Sequence, residues 1–204
     1  MKTRELAIAV AAMLCVSAAP AMTAPSVDPL EAFGLRRSTH ISLGTSVPIP
    51  EGYYDLCINQ PAVCRPRAGA GDVTGDGQIR LSSKRLQQML AVNTAVNSSI
   101  RPVAGLNRMG VLDRWRVAPA AGNCKDYALT KRQRLIAQGW PSSALLMAIV
   151  RIPGGEQHAV LVVRTDRGDY VLDNLSEAVR PWRSTPYWWE KVQSPTQMWV
   201  WHSV

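Results

Sequence analysis

The hydrophobic pattern of this chain changes period at Pro141, and that change constrains the fold more than any other feature. Upstream, from Ser83, the residues Leu86, Met89, Leu90, Val92, Val96 and Ile100 recur at helical spacing on one broad face, and Arg101-Pro102 ends the run. Residues 103–120 read as a loop carrying Trp115 and Pro119. Asn123 is a good N-cap for a second helix that stops at Gly139. Beyond Pro141 come short β-branched runs, Ala144–Ile152, His158–Thr165, Asp169–Leu175 and Met198–His202. Gly154-Gly155 and Arg167-Gly168 supply turns between the first three. Helices first and an antiparallel meander afterwards predict an α+β domain, with N-terminal helices packed on a C-terminal antiparallel β-sheet.

The N-terminus reads as an export signal. Met1-Lys2-Thr3-Arg4-Glu5 gives a short positive region, Leu6 to Ala18 an apolar run of about thirteen residues, and Ala19-Pro20-Ala21 a small-residue cleavage site. The run falls short of the roughly 20 apolar residues of a spanning helix, and no later segment approaches that length. Leu14 precedes Cys15 where a lipoprotein signal needs a small residue. The organisation is therefore a signal peptide over 1–21, an extended arm rich in Ser, Thr, Pro and Gly over 22–50, and one domain over 51–204. The expected location is periplasmic or secreted, with no membrane span after signal cleavage.

Charge and cysteine count then acquire meaning. The net charge of +8 falls to about +7 without the signal, and its Lys and Arg are scattered rather than in runs, which argues against nucleic acid as a partner. Of four cysteines the signal removes Cys15. In an oxidising compartment Cys57 and Cys64 can close a short disulfide loop, leaving Cys124 as inert core or as a reactive thiol. Two local patterns read more simply as turns. Asp72 to Ile79 resembles the start of a calcium loop, but Ser83 stands where a bidentate acid is required, and Arg167-Gly168-Asp169 fits a hairpin turn.

A thiol at the start of a helix faces the positive end of the macrodipole, and Lys125, Lys131, Arg132 and Arg134 add positive charge along the same helix. That is a setting for a nucleophile, with the Cys124 amide and a neighbour available to an oxyanion. Of three histidines, His40 lies in the arm and His202 near the end of the chain, whereas His158 begins a strand after a Gly-Gly turn. If the turn at 166–168 is two residues long, Asp173 falls opposite Val160 or Val162 and shares a face with His158; a three-residue loop reverses the parity. Under the first condition Cys124, His158 and Asp173 make a catalytic triad. Trp115 is a candidate cleft wall or an ordinary buried aromatic, and Asn123 a candidate at the oxyanion site. Trp182, Trp188, Trp189, Trp199 and Trp201, broken into loops by Pro181, Pro186 and Pro195, read as core or lid packing or as a binding surface.

Gly122-Asn123-Cys124-Lys125-Asp126-Tyr127-Ala128, with Gln157-His158-Ala159-Val160-Leu161 and Val171-Leu172-Asp173-Asn174-Leu175 downstream, resembles the bacterial transglutaminase-like cysteine proteinase family. The segment around Cys57 and Cys64, and Asp113-x-Trp115 ahead of the nucleophile, fit the same layout. The resemblance runs from about residue 50 to the end. It implies a papain-like, transglutaminase-like fold, export, and the same three residues as triad. It also implies a peptide or protein substrate, such as a surface or envelope protein, and no cofactor. The expected activity is that of an exported thiol hydrolase, a cysteine endopeptidase working through a thioester. The alternatives are a transglutaminase or amidase that resolves the same thioester, or a catalytically silent binding module. Members of the family that use calcium carry acidic residues on both sides of the nucleophile. Here those positions are Asn123 and Lys125, so calcium regulation and a metal site are not expected to carry over.

Overall fold

The computed structural model describes residues 31, 33–70, 73–103 and 114–204, and the signal segment, Asp72 and Asp113 lie outside them. Strand β1 (Ser46–Val47) precedes three helices, α1 (Glu51–Asn59), α2 (Pro61–Cys64) and α3 (Ser83–Ser99). The short strands β2 (Arg101–Pro102) and β3 (Ala121–Gly122) pair in parallel and lead into α4 (Cys124–Ala137). A 3-10 turn at Ser142–Ala144 opens the strand-rich half, which comprises β4 (Leu145–Arg151), β5 (Gln157–Thr165), β6 (Gly168–Leu172), β7 (Arg180–Pro181), β8 (Trp188–Gln193) and β9 (Trp201–Ser203). The sheet order is β1-β9-β8-β4-β5-β6-β7, with every neighbouring pair antiparallel. This is the α+β arrangement expected from the change of period.

The central strands are apolar on both faces, as sheets covered on both sides require. Leu145, Met147 and Ile149 of β4, with Ala159, Leu161 and Val163 of β5, join the larger core beneath the helices. The alternate residues Leu146, Ala148, Val150, Val160 and Val162 join a smaller core on the other face, covered by Ile41, Trp182 and Val192. Residues 38–47 lie along the sheet: Ser38 N donates to Arg167 O at 2.9 Å, and Asp169 N donates to Thr39 O at 3.1 Å. Gly168 serves both the turn and this docked segment. Its φ is +103°, and a Cβ there would come within 2.3 Å of the Ser38 carbonyl.

Two sequence expectations need correction. The Trp-rich stretch is not loop throughout, because β8 forms between Pro186 and Pro195 and lies between β9 and β4. The prolines bracket this strand instead of interrupting it, and its aromatic residues suit a sheet. The expected Cys57–Cys64 disulfide is present and ties α1 to α2. Strands β6 and β9 are also shorter than their apolar runs, ending at Leu172 and beginning at Trp201.

Candidate active site

Helix α4 starts where it does because its first turn caps itself. Asn123 Oδ1 accepts from the Lys125 amide, and Asp126 Oδ2 accepts from the Asn123 amide, each at 3.2 Å. Arg116 completes the arrangement, its backbone N–H donating to Asp126 Oδ1 at 2.8 Å and its guanidinium to Oδ2 at 2.9 Å. Gly122 is needed for this close approach, since a Cβ on it would stand 2.5 Å from Asp126 Oδ2. Cys124, half-buried and the free cysteine of the described residues, is the first residue of the helix, so its amide has no acceptor within the helix.

On the facing side, the β5–β6 turn is two residues long. Thr165 pairs with Gly168 and Leu161 with Leu172, so Asp173, just past β6, falls in register with Val160 and shares the parity of His158. His158 Nε2 lies 2.8 Å from Asp173 Oδ1, and both side chains are buried. Cys124 lies close enough to the imidazole to favour its protonated form, and the two side chains line the same cleft. Burial pulls the His158 imidazolium down, but the hydrogen bonds and charges of Asp173 and Cys124 outweigh it and hold the pKa up at about 9. Burial works in the opposite sense on Asp173, yet the bonds from His158, the Leu175 amide and Tyr187 keep its carboxyl below the usual range.

Cys124 and His158 open onto a cleft of about 710 Å³ at the β4–β5 turn, where Trp115, Lys125, Gly154 and Gly155 contribute to the lining. Trp115 is a buried aromatic at the edge of this cleft. It is 3% exposed, packs edge-to-face on Tyr53 at 5.2 Å, and still lines the cleft. His40 instead bonds Asp169 at 3.0 Å and His202 bonds Gly44 O at 3.1 Å, both away from the cleft. The basic residues of α4 do not all serve the thiol. Arg132 is buried and donates to Leu145 O at 3.0 Å and Val63 O at 3.2 Å.

Two polar neighbours escaped the sequence reading. Tyr187 donates its hydroxyl to Asp173 Oδ2, and its ring lies edge-on to the His158 ring at 5.9 Å. It fell in the stretch read as loop, where no local signal distinguishes it. Lys131 was counted only as positive charge near the thiol. It is fully buried with no hydrogen-bond partner for Nζ, and burial pulls its pKa down to about 7 against the upward pull of Asp173 and Glu177.

The donor set around the nucleophile does not suit a cation. Both oxygens of Asp126 already accept hydrogen bonds, and at the position after the thiol Lys125 offers an amine in place of an oxygen ligand. Among the described residues, no group of three or more His, Cys, Asp or Glu side chains could hold a metal ion, and no helix is long and apolar enough to cross a membrane.

A family model described as bacterial transglutaminase-like cysteine proteinase matches residues 43–204. The chain is similar in structure to calcium-bound LapG of Legionella pneumophila, with TM-score 0.50 and 19% identity over 57% of this chain and 68% of that one. Another structure of Legionella pneumophila LapG matches with TM-score 0.48 and 20% identity, covering 57% of this chain and 68% of that one. No curated protein matches the chain.

Proposed function

The chain belongs to the bacterial transglutaminase-like cysteine proteinase family, and from that premise we propose that it is an exported cysteine endopeptidase acting through Cys124, His158 and Asp173. The observation that carries this reading is the position of one imidazole. His158 bonds Asp173 at 2.8 Å through Nε2 and lines the same open cleft as Cys124, whose thiol is near enough to raise the imidazole's pKa.

In the proposed reaction His158 takes the Cys124 proton and the sulfur attacks the peptide carbonyl. The oxyanion is met by the Cys124 amide, with Asn123 Nδ2 as a second candidate donor. Collapse breaks the C–N bond and the amine leaves with the proton from His158. A water molecule then attacks the thioester while His158 accepts its proton, and the C–S bond breaks to free the acid and the thiol. Asp173 holds the imidazole tautomer throughout.

Export follows from the N-terminal signal pattern, and it makes a surface or envelope protein the reasonable substrate class. Calcium, which is bound in the similar structure of Legionella pneumophila LapG, does not suit the residues beside this thiol, because Asn123 and Lys125 flank it and both oxygens of Asp126 are taken by Arg116 and Asn123. No step is routed through it.

The test is labelling of the mature protein by a thiol-reactive peptide probe. Labelling at Cys124 that disappears in Cys124→Ala and falls in His158→Ala is the expected result. No labelling between pH 6 and 9 would turn the reading towards a silent module. Release of the acyl group to an added amine in preference to water would make it a transferase. Surface proteins shed by wild-type cells, but not by Cys124→Ala cells, would identify the substrate.

A further inference from the structure

Tyr187 touches both members of the His158–Asp173 pair, and it does so with two chemically different parts. The hydroxyl donates to Asp173 Oδ2, while Oδ1 serves His158 at 2.8 Å and the Leu175 amide at 3.0 Å. The ring stands edge-on to the imidazole, with centroids 5.9 Å apart and planes at 65°. Tyr187 and Asp173 also border a second cavity of about 190 Å³, lined by Arg180 and Thr185 among others, that shares no lining residue with the cleft that holds Cys124. We propose that Tyr187 is a positioning residue, its hydroxyl fixing the Asp173 carboxylate towards His158 and its ring standing between the His158 ring and the second cavity, which Asp173 lines but His158 does not. This rests on the triad reading above.

The two parts have opposite electrical consequences for the imidazole. The hydroxyl draws charge off the carboxylate, so removing it leaves Asp173 a stronger acceptor that holds the His158 proton longer. The ring covers the imidazole, so removing it lets the 190 Å³ cavity, already bounded by Asp173, reach His158 as well, and water there weakens the attraction between carboxylate and imidazolium. The other charged groups around the pair stay in place in either variant. Cys124 and Lys131 approach from α4, Glu177 from the segment after β6, and Arg180 from β7 facing Tyr187.

The experiment compares the full mature chain with Tyr187→Phe and Tyr187→Ala, following the His158 ring by NMR titration and the alkylation rate of Cys124 by iodoacetamide from pH 5 to 10. In Tyr187→Phe the His158 midpoint moves up by about half a unit to one unit. In Tyr187→Ala it moves down by about one unit or more, towards the ordinary value of about 6.5. Midpoints unchanged in both variants, or moved in the same direction, overturn the proposal, because packing alone predicts no divergence. Should Tyr187→Ala fail to fold, Tyr187→Phe decides by itself, and an unshifted midpoint there overturns the role of the hydroxyl. The NMR readout does not depend on catalysis. Failure of the triad reading is seen separately, as Cys124 alkylation that is equal in wild type and His158→Ala.

Discussion

The first turn of α4, which carries the thiol, is capped by groups within ten residues of one another. Asn123, Lys125 and Asp126 satisfy one another, and Arg116 is the most distant contributor. The base side is assembled differently. His158, Asp173 and Tyr187 come from three separate segments, and they meet only because β5 and β6 pair in one register and the chain returns through 187. A locally capped nucleophile has its geometry fixed wherever the helix forms, so damage there should appear as lost helix stability. A base made of distant parts depends on sheet register and burial, so damage there should appear as altered proton affinity and rate.

The largest effect tests whether the two sides act as one unit. Cys124→Ala and His158→Ala are each expected to lower peptide hydrolysis by about 10^4-fold to 10^6-fold, and the double variant to be little worse than either. Steady-state kinetics on a cleaved peptide checks this. Additive losses in the double variant would mean that thiol and imidazole work independently.

Next in size is Asp173→Asn, expected to lower kcat by about 10^2-fold to 10^4-fold while the protein stays folded. Its diagnostic is titration of His158. With the carboxylate gone, burial is no longer outweighed by that partner, and the midpoint falls from about 9 to well below it. The sign has a stability consequence in the wild type. A histidine raised from an ordinary 6.5 to about 9 contributes stabilisation that is fully present below pH 6.5 and is lost as pH climbs through 9. Denaturant unfolding should therefore find the gap between wild type and His158→Gln narrowing across that window.

The same contrast explains what could be read from the sequence. Gly122-Asn123-Cys124 and the α4 boundaries were legible because capping is a local interaction between neighbouring residues. His158 and Asp173 were legible only conditionally, since one turn residue more would have reversed their parity, and the Thr165–Gly168 pair resolves that condition. Strand β8 was not legible, because its stability comes from pairing with β4 and β9, which are distant in sequence, and the surrounding prolines mask it. Tyr187 and Lys131 were missed for a related reason. A side chain's partner across the fold leaves no trace in its immediate neighbours, and a lysine on a helix reads as solvated surface until the helix is found buried.

Gly122→Ala strikes the nucleophile side through packing. The new methyl would stand 2.5 Å from Asp126 Oδ2 and 2.8 Å from its Cβ, so the cap must open or β3 must shift. A loss of about 1–3 kcal/mol in unfolding free energy is expected, together with reduced kcat, and with an unchanged His158 midpoint. A moved midpoint would mean that the two sides are mechanically coupled after all.

The smallest effect isolates the cap itself. Asn123→Ala removes the oxygen that accepts from the Lys125 amide and leaves that N–H at a helix start without its side-chain partner, a change expected to cost about 1 kcal/mol. Asn123→Asp keeps an acceptor in the same place and adds negative charge at the positive end of the helix, so its stability should lie within a few tenths of a kcal/mol of wild type. The pair also separates capping from catalysis. If Asn123 Nδ2 meets the oxyanion, Asn123→Asp loses activity while keeping its stability, because a carboxylate accepts hydrogen bonds and repels a second negative oxygen. If the Cys124 amide suffices, Asn123→Asp stays active and the contribution of Asn123 is confined to holding the first turn of α4.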